Sequence, residues 1–531
     1  MTTFVNESAS QEYPPFDLLV IGGGINGVGI ARDAAGRGLK VFLCEKNDLA
    51  SATSSASTKL IHGGLRYLEH YEFRLVRAAL KERETLLRAA PHIIRQIRFV
   101  LPYHKSLRPA WVLRIGLAIY DHVGGRKNLP PTKSIDLKST PAGSPLKDLF
   151  IKGFEYSDCC VDDSRLVILN AIDARERGAK ILTRTSFVTA NRHRDYWHAI
   201  LRSDEGEAIK VDARIIVNAA GPWVADVNSK LKGINKQKKN ALHLVKGSHV
   251  IVRKIFEGDH AYIFQNGDGR ILFSIPYEDS FTLLGTTDLP FHGDLNDVEA
   301  SVQEIDYILG AVGKYFQQEL SRDDVISTFS GVRPLYDEAT GKNASEVTRD
   351  YSFVVDKKNG VAPVLTVYGG KITTYRKLAE HALEILMPYL KCDVSRWTEK
   401  SILPGGDIPN FDFDQFVVDM KLHYPNLDGD QVLRLARAYG TRIDRILGKG
   451  SSINSLGQHF GYGLTESELR YLVTEEWAQT VDDILWRRSK LHLHLNENEK
   501  RDVENWLNSW FANKSQKVRG DSTLSLERFR G

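Results

Sequence analysis

The chain has 531 residues, enough for roughly two to four domains and a large core, and its 42% hydrophobic and 26% charged residues are those of an ordinary globular protein. A net charge of +4 suits an anionic substrate or an anionic lipid surface and is too small to argue for nucleic acid as a partner. The four cysteines, Cys44, Cys159, Cys160 and Cys392, form no C-x-x-C pair, which predicts reduced thiols in a cytosolic setting and excludes a disulfide framework or a zinc site; no metal is expected.

The first residues, Met1 to Phe16, lack the basic start and apolar core of a signal peptide and are expected to be a loose tail. Asp17 to Glu45 then reads as strand, glycine turn, helix and strand. Leu18 to Ile21 is the short apolar run of a strand buried on both faces. Gly22, Gly24 and Gly27 fit G-x-G-x-x-G: the first for a tight turn, the second for close approach of a pyrophosphate, the third for helix–strand packing. Val28 to Arg37 suits a helix, whose N-terminus offers N–H groups to the pyrophosphate. Lys40 to Cys44 is the next strand, and Glu45 closes it where a carboxylate accepts from a ribose diol.

Ser51 to Thr58 is rich in small hydroxylated residues, and Leu60-Ile-His-Gly-Gly64 follows. The stretch Ser54-Ser-Ala-Ser-Thr-Lys-Leu-Ile-His-Gly-Gly-Leu-Arg-Tyr-Leu-Glu69 resembles the FAD-dependent glycerol-3-phosphate dehydrogenases, within the flavoproteins of the D-amino-acid oxidase type. Tyr71 to Ala90 is expected to be a helix stopped by Pro91. Between Arg88 and Tyr120 there is no acidic residue, and Arg95, Arg98, Lys105, Arg108 and Arg114 interleave with Trp111, Leu113 and other apolar residues. That pattern fits either a solvated basic face over an ordinary core helix or a surface lying on anionic lipid. Gly124 to Pro145 is expected to be a loop.

Leu166 to Arg177 reads as a helix, and strands are expected around Lys180–Thr183, Trp197–Leu201 and Ile215–Ala219, the last running into Asn218-Ala-Ala-Gly-Pro-Trp223. From 240 to 350 short alternating runs predict an antiparallel sheet carrying Lys246-Gly-Ser-His249, Gly285-Thr-Thr-Asp288, Ser330-Gly-Val-Arg-Pro-Leu335 and, just after, Arg349-Asp-Tyr351. A helical excursion is expected over Asn296 to Phe316, with Asn296 and Glu299 as cap and N3 partner. Leu365-Thr-Val-Tyr-Gly-Gly-Lys-Ile-Thr-Thr-Tyr-Arg376 returns to strand–glycine–helix. Pro404-Gly-Gly-Asp-Ile-Pro409 reads as a linker to a polar helical region from 411 to 531, with Thr465 and Glu468 as a capping box and a frayed end after Lys514.

The resemblance covers about residues 14 to 510 and implies an α/β (α+β overall) architecture: a Rossmann-like FAD-binding domain, an antiparallel-sheet substrate domain and a C-terminal all-helical domain. The boundaries expected are 1–15 for the tail, 16–95 with 150–240 and 352–392 for the discontinuous FAD-binding domain, 96–149 for a basic, aromatic membrane-facing segment, 241–351 for the substrate cap and 400–531 for the helical domain. The same resemblance implies FAD held by Gly22, Gly24, Asn26, Gly27, Glu45, Thr53, Ser54, Ser55, Lys59, Leu60, His62, Gly221, Gly370, Lys371 and Thr373. It places glycerol 3-phosphate at Arg66, Tyr67, Arg333, Arg349 and Lys371, with His249, Arg333 and Lys371 at the reacting atoms.

Oxidation of that substrate needs cations for the phosphate, a base for the C2 hydroxyl and FAD as hydride acceptor. His249, with an ordinary histidine pKa near neutrality, suits the base; Arg333 is the competing candidate. Electrons are expected to pass to a membrane quinone, from a site on the cytoplasmic face of a bacterial membrane where the protein is peripherally bound. Oxygen as acceptor and a related amine or amino-acid oxidase are the alternatives, and a homodimer is left open.

Overall fold

The computed structural model describes residues 16–65, 68, 71–104, 109–125, 129–234, 242–336, 350–357, 361–390, 395–448 and 453–527, with side chains of the last helix as far as residue 513. The expected N-terminal tail, Arg66, Tyr67, Lys105, Arg108 and Arg349 lie outside the described residues.

Two sheets organise the chain. In the first, Phe16–Ile21 pairs in parallel with Val41–Cys44 on one side and Ala208–Asn218 on the other, in register from Leu18↔Val41 to Ile21↔Cys44 and from Phe16↔Ala213 to Ile21↔Asn218. Val364–Tyr368 joins in parallel beside the end of Ala208–Asn218, and Lys180–Leu182 lies beyond Val41–Cys44. Leu18, Leu19 and Val20 are fully buried because both faces are covered. One face packs on the helices Ile25–Gly36, Asp163–Glu176 and Tyr375–Leu386; the other meets Phe187, Trp197, Leu201 and Val227. The small residues Ala31, Ala34 and Gly29 let the first helix sit close to its neighbours, and Tyr375 fills the space over Gly29.

The second sheet is mostly antiparallel, as the alternating runs predict. Leu242–Arg253 pairs with Val325–Tyr336 and Phe281–Gly285, and Ile271–Tyr277 and Ala261–Gln265 follow. Ile94–Tyr103 continues it as an inner strand, parallel to Ala261–Gln265 and antiparallel to Lys152–Val161. This corrects the expectation of one lipid-facing surface from 88 to 120. The apolar residues of that strand, Ile94, Ile97, Phe99 and Leu101, are core. Arg98 is bound to Glu155 at 2.6 Å, and Arg95 Nε lies 3.0 Å from Cys160 Sγ. The following helix, Ala110–Val123, turns Trp111, Arg114 and Ile115 to solvent.

Two caps differ from expectation. The helix within the cap sheet is Val302–Val312, begun by a capping box of Ser301 and Glu304, because Asn296 is occupied by Asp294 and Lys46. Thr465 makes no side-chain cap bond at helix Glu466–Glu475; Glu468 instead accepts from Arg434 and Tyr439. The expected linker is a packed join: Gly405 and Gly406 are buried, Leu403 N–H donates to Ala89 O at 2.9 Å, and Thr441 N–H to Gly405 O at 3.1 Å. Beyond it, helices pack around Val432, Leu435, Tyr439, Leu469, Leu472 and Ile484. Among the described residues no helix is long and apolar enough to cross a membrane.

Candidate active site

The parallel strands of the first sheet end together at Ile21, Cys44, Asn218 and Tyr368, and a cavity of about 840 Å³ opens at these ends, where ligands bind in open α/β sheets. The second sheet forms its far wall through Gly247, His249, Phe273, Thr286, Gly331 and Arg333.

At the glycine turn, Gly22 has φ +113°, and a Cβ there would lie 2.5 Å from the Ala219 carbonyl oxygen. Gly24, Ile25 and Asn26 face the cavity at the N-terminus of the first helix. Ile25 N–H donates to Ser54 Oγ at 3.0 Å. Gly27 stands behind the wall: a Cβ would meet Gly22 O at 1.9 Å, so this glycine serves the close packing of turn and helix. Glu45 lines the cavity, and its carboxylate accepts from Gly23 N–H at 2.6 Å and Asn47 N–H at 2.8 Å. Burial pushes its pKa up, against those two donors.

Thr53, Ser54, Leu60, His62, Gly221, Gly370, Lys371 and Thr373 all line the same cavity. Ser55 and Lys59 do not. Lys59 turns inward to Asp163 at 2.9 Å and Ser55 O at 2.8 Å, and its Nζ sits over the Phe329 ring. Burial lowers the Lys59 pKa against the pull of Asp163, which also holds Ser57. Lys59 and Ser55 thus brace the loop from behind.

His249 is 2% exposed and lines the cavity, stacked on Phe329 with centroids 4.8 Å apart. Its Nε2 is 3.0 Å from Thr58 Oγ1, a hydroxyl that can donate to the ring or accept from it. Burial, with Lys59 and Arg333 adding positive charge, lowers its pKa to about 3. The ring is therefore neutral at physiological pH, and the expectation of a histidine titrating near neutrality is corrected. Arg333 also lines the cavity, 3.1 Å from Asp288. Behind them Ser248 and Thr287 donate to Glu304, and Ser330 hydrogen-bonds Ser248; the Glu304 pKa falls to about 2 because Lys246 and the donors of Ser301 and Ser248 outweigh its burial.

Thr58 and Asp288 are contacts that the sequence reading quoted within motifs without giving a role, and Phe329 falls just before the quoted Ser330 motif. Arg270 was not singled out at all. It shares a smaller compartment of about 100 Å³ with His62, Asp288 and Arg333. Its signal was weak, since one arginine in a turn is ordinarily a surface residue.

A family described as "FAD dependent oxidoreductase" matches residues 17–376, and the "C-terminal domain of alpha-glycerophosphate oxidase" matches residues 396–505. The chain belongs to the FAD-dependent oxidoreductases. It is 52% identical over 497 residues to D-erythritol 1-phosphate dehydrogenase of Brucella abortus, covering 93% of this chain and 98% of that one. It is 50% identical over 495 residues to glycerol-3-phosphate dehydrogenase of Pseudomonas aeruginosa, covering 93% and 95%. Among solved structures, the glycerol-3-phosphate dehydrogenase of Bacillus halodurans complexed with FAD aligns with a TM-score of 0.71 at 27% identity, covering 93% of this chain and 94% of that one.

FAD is the cofactor, and the cavity fits it. Asn26 Oδ1 is buried with no hydrogen-bond partner among the described residues, a place for a ligand donor. At Gly370, φ +97°, a Cβ would meet the Asn26 amide within 3.2 Å, so only glycine leaves that corner open.

Proposed function

We propose that the chain oxidises sn-glycerol 3-phosphate to dihydroxyacetone phosphate with FAD and passes the electrons to a membrane quinone. The observation that carries this reading is the neutral, buried His249 beside Arg333 and Lys371 on the walls of the FAD cavity. FAD, when bound, accepts the hydrogen that leaves C2 with its electron pair. Arg333, together with Arg66 and Arg349, suits the phosphate, which a guanidinium fork holds through two charge-assisted bonds. Lys371 stands at the start of the turn and helix that follow Gly370, where a cation and N–H groups favour negative charge. His249 receives the hydroxyl proton, directly or through Thr58. An incoming phosphate dianion offsets the Arg333 charge that holds the imidazole pKa down, so the base gains strength when the correct substrate is present. The proposed cofactor contacts are Glu45 with the adenosine ribose and the Gly22–Gly24 turn with the pyrophosphate.

A second reading is a four-carbon polyol phosphate. The Brucella relative's name favours it, and the compartment of about 100 Å³ beside Arg333 has room for one more hydroxylated carbon.

The test is anaerobic flavin bleaching by glycerol 3-phosphate, erythritol 1-phosphate, glycerol and an amino acid. Glycerol 3-phosphate is expected to bleach fastest; preference for the four-carbon ester moves the assignment to the second reading, and bleaching by the amino acid alone overturns both. Arg333→Ala is expected to lower kcat/KM for the phosphate ester by roughly a hundredfold, about 3 kcal/mol, and to affect glycerol much less. Quinone reduction measured against peroxide release separates the two acceptors.

A further inference from the structure

Among the described residues, those that line the FAD cavity all lie between Ile21 and Thr373, and none comes from the C-terminal helical region. Yet one short element of that region grips the wall carrying Glu45. Asp48, 2% exposed, lies three residues past Glu45 in a segment of which Glu45, Lys46, Asn47 and Ala50 face the cavity. Arg488, fully buried at the end of the π-helix Asp483–Arg488, holds both Asp48 oxygens, Nη2 at 2.8 Å from Oδ1 and Nη1 on Oδ2. Arg487 adds Nε at 2.7 Å from Oδ2. The neighbouring wall is tied to the same helix. Asp483 accepts from Arg184 at 2.8 Å, Arg184 N–H donates to Asn47 O at 2.8 Å, and Thr185, Ser186 and Phe187 then line the cavity. Arg488 also reaches the Glu476 carbonyl, and the Glu476 carboxylate pairs with the buried Arg165 of helix Asp163–Glu176.

The gripped segment does not rest in a relaxed shape. Ala50 has φ +59°, left-handed for a residue with a Cβ, and its N–H closes on Gly23 O at 3.2 Å. Without its arginines, Asp48 would be a buried carboxylate with no counter-charge, and the segment would open to bring it to water. Opening there moves Glu45 away from Gly23.

We propose that the Asp48–Arg488 clamp makes the C-terminal helical region a positioning element for FAD: it holds the Glu45–Ala50 wall in its binding shape, so that FAD binding and docking of that region stabilise each other. This rests on the reading that Glu45 and the glycine turn take the adenosine half of FAD. Coupling of this kind is reciprocal.

Two measurements test it. In hydrogen exchange of the full-length wild type, adding FAD to the apoprotein is expected to protect residues 22–50, which touch the ligand, and also residues 483–489, which do not. Protection of the first segment without the second overturns the clamp; no protection of the first overturns the adenosine reading, and the clamp with it. In FAD titrations of apoprotein, Arg488→Gln is expected to bind FAD roughly 5–150-fold more weakly. Arg488→Lys is expected to recover part of the loss, and the substrate KM at saturating FAD is expected to stay unchanged. Arg175→Gln is the control, because it breaks the half-exposed Arg175–Glu475 pair between the same two regions and is expected to leave FAD affinity unaltered. If Arg488→Gln lowers the melting temperature while FAD affinity stays within about twofold of wild type, the arginine is merely structural. Should that variant not fold, the wild-type exchange experiment decides.

Discussion

His249 shows how an environment changes what a residue type can do. In water an imidazole titrates in the physiological range. Here burial and the positive charges of Lys59 and Arg333 lower its pKa to about 3. Comparison of kcat/KM profiles is therefore expected to show one acid limb near pH 6, from the phosphate of the substrate itself, in both wild type and His249→Gln. Between pH 5 and 8, His249→Gln is expected to lower the plateau without moving that limb. A limb near pH 6.5 present only in wild type would mean that the ring titrates in its ordinary range. The glycine turn and Glu45 were legible because their roles are set by neighbours in the chain. Lys59 was not, since its partner Asp163 is brought to it by folding, and the quoted serine–threonine motif gives no sign of which hydroxyls face the cavity.

At the scale of the element, the stretch from Ile94 to Val123 divides into a buried strand and a helix with an open face. Composition could not separate them, because a strand whose apolar side chains are core and whose arginines reach the sheet margin has the same residues as a lipid-facing surface. The membrane reading now rests on Ala110–Val123, where Trp111 is 66% and Ile115 52% exposed one turn apart with Arg114 between. Trp111→Ser with Ile115→Ser is expected to reduce binding to anionic vesicles and quinone turnover, while activity with a soluble dye stays near wild type. Arg98→Gln is expected to leave vesicle binding unchanged, since that guanidinium is engaged with Glu155. Undiminished vesicle binding by the double variant would move the contact to another face. The two displaced caps share a cause: Asn296 and Glu468 fit the local pattern but are claimed by Lys46 and by Arg434 and Tyr439 from distant parts of the chain.

For the whole molecule, two buried histidines weaken the fold as pH falls, while the buried Glu278 carboxyl, its pKa raised to about 7, acts in the opposite sense. His92, 2% exposed with neither ring nitrogen partnered among the described residues, has its pKa lowered to about 3 by burial and by Arg165, as His249 has at the cavity. Between about 6.5 and 3 the unfolded chain binds both protons and the folded chain neither, so the histidines' contribution to stability is intact above 6.5 and is lost as pH drops. At pH 5 the loss contributed by each histidine is about 2 kcal/mol. Thermal unfolding of wild type and His92→Leu at pH 8 and pH 5 measures it: the variant is expected to lose about 2 kcal/mol less stability than wild type; an equal difference in that variant would mean that His92 is charged in the folded state. The first strand–turn–helix unit and the antiparallel sheet were legible from the glycines and the alternating runs, and the resemblance implied the division into domains. The grip of the C-terminal helical region on the cavity wall was not legible, because Asp48 and Arg488 stand 440 residues apart.

The strand Val364–Tyr368 lies beside Ala208–Asn218, next in the sheet to the strand that begins the described chain, and it leads into Gly370, Lys371 and Thr373. During synthesis, then, the first nucleotide-binding unit leaves the ribosome long before the strand that completes its sheet. At roughly 5–20 residues per second it waits about a minute or less for that strand, and some further seconds for the arginines that secure Asp48. Once Ala208–Asn218 is made, Trp197–Ser203 covers Ala208–Ala213, and the end from Ile216 to Asn218 waits without a partner on that side. The cavity is complete only once Gly370, Lys371 and Thr373 are in place, so FAD finds its whole site late, in a nearly finished molecule.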